Sequence, residues 1–138
     1  MTQYIVNIAD SSHSHYAPLI CEEIEISAKI RGTGIAKRTT KYIEDKMTQG
    51  KAIIAYTEDG TWVGFCYIET WEGGKYVANS GLIVSREFRG QGIATKLNQI
   101  RFRLNMYEHI FLKMKLEIEE TKMWPQHIRF PSINAMIV

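Results

Sequence analysis

"LIVSREFRGQGIATKL", residues 82–97, decides how the chain is read. An apolar run ends at Ser85, charged residues lead into Arg-Gly-Gln-Gly at 89–92, and the chain beyond reads as a helix from about Gly92 to Tyr107. Gly90 and Gly92 allow close approach of a ligand to the backbone and conformations closed to other residues. The first amides of the helix have no intrahelical acceptor, and its dipole adds positive potential at the same end. Together these features predict an anion site best suited to a phosphate. Arg86 and Arg89 stand just ahead of it, ready to add charge-assisted contacts.

Three β-rich runs precede this turn: "AIIAYTE", "TWVGFCYIETW" and "KYVANSGLIVS". Asp-Gly at 59–60 and Glu-Gly-Gly at 72–74 separate them, and both are hairpin signals, so the runs form an antiparallel meander whose last strand enters the glycine turn. Nearer the start, "QYIVNIA" at 3–9 alternates as a strand does. From Tyr16 to about Ile30, Leu19, Ile20, Ile24, Ile26 and Ile30 are interleaved with Glu and Lys, which fits an amphipathic helix imperfectly, and "RGTG" ends it. A second helix is expected over about 39–48, capped by Thr and closed at Gly50. Strand, two helices, three strands and a helix predict an α+β fold, a mostly antiparallel sheet flanked by helices.

Composition narrows the function. A chain of 138 residues with 45% hydrophobic content builds a single domain, residues 1–138, with a real core. The net charge of +2 gives no broad field to steer nucleic acid or a membrane, and no basic stripe carries interleaved aromatics. No stretch approaches the roughly 18 to 20 apolar residues that span a bilayer, and no leader pattern is present, so a soluble, cytoplasmic protein is expected. Cys21 and Cys66 read as reduced small hydrophobes. His13 and His15 fall in a Ser-rich turn without further ligands and read as a solvated loop, so no metal is expected.

Three phosphate motifs compete for the turn. A Walker loop needs Gly, four residues and Gly-Lys-Ser/Thr, which "GQGIATK" does not supply. A dinucleotide fingerprint wants Gly or Ala where Thr95 stands, in a βαβ unit, whereas this turn follows a meander. The third pattern is Arg or Gln, two residues, Gly, one residue, Gly or Ala, and Arg89, Gly92 and Ala94 satisfy it. In that motif and in the order of elements over about residues 3–106, the chain resembles the GCN5-related N-acetyltransferases (GNAT). The wider text from "AKIRGTGIAKR" to "ANSGLIVS" is similar to small members likened to N-acetylglutamate synthases.

The resemblance implies an acetyl-CoA-dependent N-acetyltransferase acting on a primary amine of a small metabolite, an amino acid being favoured. Arg89, Gly90, Gln91, Gly92, Ile93, Ala94 and Thr95 would hold the coenzyme pyrophosphate. Leu82, Ile83 and Val84 would meet the pantetheine arm through their main chain, one amide polarising the thioester carbonyl. Amine attack requires a base, for which Glu69 and then Glu72 are the candidates, and Tyr67 shares a strand face with Glu69 and would shape the acceptor pocket. Asn79 and Ser80 are further candidates for touching substrate, and Arg31, Lys37 and Arg38 would suit a carboxylate-bearing acceptor.

The tail departs from the family pattern. Tyr107 is the last tyrosine and no glycine follows Gly92, so the family's usual proton-donating tyrosine and closing hairpin are absent or replaced, and residues 107–138 are atypical, a short or altered C-terminal part. Ile110, Leu112, Met114, Leu116 and Ile118 alternate as a fifth strand would, although the same letters also allow the helix to continue. A sheet left open there would expose an edge that a second copy of the chain could cover as a homodimer. The alternative function is a catalytically impaired acyl-CoA binding module or truncated family member.

Overall fold

A computed structural model of the chain describes residues 3–32, 37–72 and 76–106. Its strands are β1 (Ile5–Ile8), β2 (Ala52–Tyr56), β3 (Trp62–Trp71) and β4 (Tyr76–Val84). Helices α1 (Ala17–Arg31) and α2 (Thr40–Thr48) separate β1 from β2, and α3 runs from 93 to 106, the last described residue. The strands form one sheet in the order β1-β2-β3-β4, every neighbouring pair antiparallel. This is the α+β arrangement expected from the order of turns and periodicities. The alternating segment 110–118 lies outside the described residues.

Local chemistry explains where the helices start. Asp10 accepts the Ser12 amide at 2.9 Å, and its own N–H donates to His13 Nδ1 at 3.0 Å, a reciprocal cap on the 3₁₀ turn Ser11–Tyr16 that leads into α1. His13 is therefore buried, at 9% exposure, and not a solvated loop residue; burial pushes its pKa down against the pull of Asp10. Thr39 caps α2 by accepting the Tyr42 amide at 3.1 Å.

Both sheet faces are covered, which is why Ala52, Ile53, Ile54 and Ala55 of β2 are all buried. On one face α1 and α2 pack Ile20, Ile24, Ile43 and Met47 against Ile54, Phe65 and Tyr67. On the other, α3 lays Ile93, Leu97, Ile100 and Leu104 over Val6, Ile53, Cys66 and Ile68. Each such aliphatic side chain contributes roughly 1.5 to 3 kcal/mol of burial. The buried stripe of α1 is Ala17, Ile20, Ile24 and Ser27, so Leu19 and Ile30, apolar in sequence, face solvent. Cys21 and Cys66 are free thiols, and burial pushes that of Cys66 up to about 12. Among the described residues no helix is long and apolar enough to cross a membrane.

One irregularity shapes the next layer of structure. Leu82 pairs with Cys66 and Asn79 with Ile68, so Ser80 and Gly81 together oppose the single residue Tyr67, a β-bulge in β4. The Tyr67 ring lies so close that a Cβ on Gly81 would sit 2.4 Å from its Cε1.

Candidate active site

The glycine turn has the geometry that the sequence predicts. After β4 a short 3₁₀ turn, Arg86–Phe88, leads to Gly90 at φ 80° and Gly92 at φ 78°, both in the left-handed region. The first helical bond of α3 runs from the Lys96 amide to the Gly92 carbonyl at 3.2 Å. Among the described residues, the amides from Gly90 to Thr95 have no protein acceptor. Six adjacent donors without acceptors at a helix N-terminus are the arrangement that an anion site requires.

The two arginines ahead of the turn point elsewhere. Arg89 donates to the Val84 carbonyl at 3.0 Å, to Glu23 Oε1 at 3.0 Å and to Ser27 Oγ at 3.1 Å, while Arg86 Nε lies 3.3 Å from Glu23 Oε2. Glu23, buried on α1, thus ties that helix to the glycine turn, and both arginines are engaged with it. Sequence reasoning missed Glu23, although an acid inside the apolar stripe of α1 was the available signal.

Beside this strut a cleft of about 570 Å³ opens between α1 and the outer part of the sheet. Arg31, Arg38, Tyr67, Ser80, Leu82, Ile83, Val84, Arg89 and Ala94, nine of the residues singled out from sequence, all line it. Along its β4 wall the hydrogen-bond alternation is fixed by Ser85 N donating to the Val63 carbonyl at 2.8 Å. By that alternation Ile83 bonds to Phe65 of β3, and the amides of Leu82 and Val84 face away from β3. Of the three backbones expected to meet a ligand, two are therefore turned outward.

Several candidates lie apart from the cleft. Asn79 and Ser80 are adjacent in β4 and project to opposite faces. Ser80 lines the cleft, whereas the Asn79 side chain accepts a hydrogen bond from Asn105 of α3 at 2.5 Å. Glu72 stands exposed just past β3, at φ 52°, away from the cleft. Thr95 and Asn79 share a separate groove with Phe102 and Met106 on the α3 side. The described residues include Lys37, which lies near Glu25 at 3.8 Å.

Glu69 lies just behind the cleft wall in a polar cluster. Lys46 Nζ donates to its Oε2 at 2.7 Å and to the Ile68 carbonyl at 3.0 Å, and the Tyr42 hydroxyl donates to Oε1. Burial by itself would raise the Glu69 pKa. Hydrogen bonds from Lys46 and Tyr42, with the charges of Lys46 and Arg38, outweigh that effect and hold it below the ordinary value. Burial, then the bond to Glu69, pushes the Tyr42 hydroxyl up. Arg38 connects this cluster to the cleft, its Nε donating to the Tyr67 hydroxyl at 3.0 Å and its guanidinium lying 4.8 Å from the Tyr42 ring centre. Lys46, between Ile43 and Met47 on the buried side of α2, was not foreseen from sequence.

The sequence model of the Acetyltransferase (GNAT) family matches residues 46–112, which include β3, β4, the glycine turn and all of α3 described. No curated protein matches the chain. Among solved structures, it is similar to N-acetylglutamate synthase from Neisseria gonorrhoeae, complexed with coenzyme A and N-acetyl-glutamate, at 18% identity and a TM-score of 0.61. That alignment covers 78% of this chain and 24% of the synthase, so the chain spans about a quarter of that protein. Rv2747 from Mycobacterium tuberculosis, solved with CoA, aligns over 75% of this chain and 58% of its own at 14% identity and a TM-score of 0.59. A GNAT family acetyltransferase from Listeria monocytogenes aligns over 88% of this chain and 76% of its own at 17% identity and a TM-score of 0.53. At such identities the structural likeness speaks for the fold, while the family match falls on the strands and turn that carry the site. By its sheet, its glycine turn and that match, the chain is similar to the GCN5-related N-acetyltransferase (GNAT) superfamily.

Proposed function

We propose that the protein transfers an acetyl group from acetyl-CoA to the primary amine of a small metabolite, within a single domain over residues 1–138. The observation that carries this reading is the run of six amides without a protein acceptor at Gly90 to Thr95, at the end of a cleft lined by Leu82, Val84, Arg89 and Ala94, where the amides of Leu82 and Val84 face away from β3. An anionic diphosphate with an extended amide-bearing arm matches that sequence of donors. Acetyl-CoA would supply an activated acetyl thioester. The chain would supply the cradle for its diphosphate, a strand edge for its arm and an amide on β4 to take charge developing on the carbonyl oxygen.

Proton handling falls to the residues around Tyr67. Its hydroxyl accepts from Arg38 and, among the described residues, has no acceptor for its own proton. That proton is available to a leaving thiolate, and the Arg38 cation would stabilise the phenolate left behind. Tyr67 would thereby supply the proton that a thiolate leaving group needs. Glu69, kept ionised by Lys46 and Tyr42, would accept the ammonium proton through water. Glu69→Gln is expected to slow turnover about tenfold with coenzyme affinity little changed; an unaltered rate removes it from the mechanism.

Arg31 and Arg38 give the cleft two cations, which favours an acceptor carrying a carboxylate, such as an amino acid. The similar Neisseria synthase, solved with N-acetyl-glutamate, agrees with that class. Calorimetry with acetyl-CoA followed by thiol release over a panel of amines tests the reading. Binding without release from any amine would support the alternative, a coenzyme-binding module whose chemistry has been lost.

A further inference from the structure

Arg101 lies on α3 among Leu97, Ile100 and Leu104, and its side chain is buried, at 6% exposure. A guanidinium keeps its charge in a protein, and burying one without an acidic partner is costly. Among the described residues Arg101 forms no ion pair. Its two terminal nitrogens donate to two backbone carbonyls, Ser80 at 2.8 Å and Gly81 at 3.1 Å, and to Asn98 Oδ1, while among the described residues its buried Nε has no acceptor. Both carbonyls belong to the β4 bulge opposite Tyr67. A cation committed to the one irregular step of the strand that walls the cleft is not explained by packing.

The peptide plane gives the consequence. In a trans peptide the C=O and the following N–H point in opposite directions. Holding the Ser80 and Gly81 carbonyls against α3 turns the amides of Gly81 and Leu82 away from α3, and both residues line the cleft. A charged donor on each carbonyl also polarises the amide and strengthens its N–H as a donor.

We propose that Arg101 is a positioning residue for the acetyl thioester carbonyl: from behind the sheet it fixes the β4 bulge so that the Gly81 and Leu82 amides aim into the cleft. This rests on the acetyltransferase reading above. The residue touches neither acetyl donor nor acceptor, so its effect reaches the reaction only through the two peptide groups.

The test is the infrared stretch of acetyl-CoA labelled with ¹³C at the carbonyl, bound to the full chain, with binding followed by calorimetry and folding by thermal melt. Wild type is expected to lower the stretching frequency by hydrogen bonding. Arg101→Met should still bind the coenzyme through the glycine turn but lose most of that shift, and Arg101→Lys should recover part of it. In turnover, Arg101→Met should lower kcat roughly ten- to hundredfold with KM little changed. A folded Arg101→Met protein with the full shift overturns the proposal. Should Arg101→Met fail to fold, Asn98→Ala loosens the same guanidinium from an exposed position, and a full shift there overturns it equally. Wild type binding acetyl-CoA with an unperturbed carbonyl sinks the proposal and leaves the acetyltransferase reading standing; no binding at all sinks both.

Discussion

Gly92→Val is expected to abolish acetyl-CoA binding in calorimetry while leaving the chain folded. Gly92 sits at φ 78°, where a residue with a Cβ is strained by about 1 to 2 kcal/mol and a β-branched one by more. The turn would relax toward negative φ, and the acceptor-free amides around it would change direction. Space is not the cause, since a Cβ at Gly92 would meet nothing within 4 Å. A control separates strain from function. Gly50 has φ 68° and an equally open Cβ position, but it closes α2 far from the turn. Gly50→Ala should lower the melting temperature and leave coenzyme affinity intact. A Gly92→Val protein that binds acetyl-CoA as wild type does would remove the glycine turn from the site and with it the proposed function.

Tyr67→Phe should lower kcat about a hundredfold on any amine that wild type acetylates, with coenzyme affinity unchanged. The substitution keeps the ring that packs on Gly81 and against Tyr42 and Phe65, so the bulge and the core keep their shape. What it removes is the hydroxyl that accepts from Arg38 at 3.0 Å, and with it the proton that Tyr67 would offer to the leaving sulfur under the proposed mechanism. Arg38 then loses its partner without leaving the ring of Tyr42. Single-turnover thiol release measured across pH is the decisive readout, because a merely structural hydroxyl would shift melting temperature and leave the rate alone. Turnover at the wild-type level would assign the proton to solvent.

The two variants probe features of different origin. The glycine turn is legible in the residues themselves, since a left-handed residue, a helix N-terminus and the caps at Asp10 and Thr39 depend on neighbours within a few positions. The order of β2, β3 and β4 is legible for the same reason, as short Gly-containing turns leave adjacent strands little choice but to pair, whereas β1 reaches β2 only through two intervening helices. Arg89 shows the limit. Its place in the motif is plain, but its side chain answers to Glu23 and Ser27, partners 66 and 62 positions away.

The amino-acid sequence by itself determined the elements, their order along the chain and the glycine turn, because each follows from periodicity and backbone preference over short spans; the family resemblance rests on the motif in that turn. Only the tertiary structure decided which polar groups meet. The β4 bulge brought Gly81 under Tyr67 and gave Arg101 two carbonyls to hold. Lys46, 23 positions away, donates to Glu69 and, with Tyr42, holds the pKa of the candidate base below its ordinary value against the effect of burial. A register shift of one residue and the low dielectric of a covered sheet create these contacts, and both arise only when distant segments pack together.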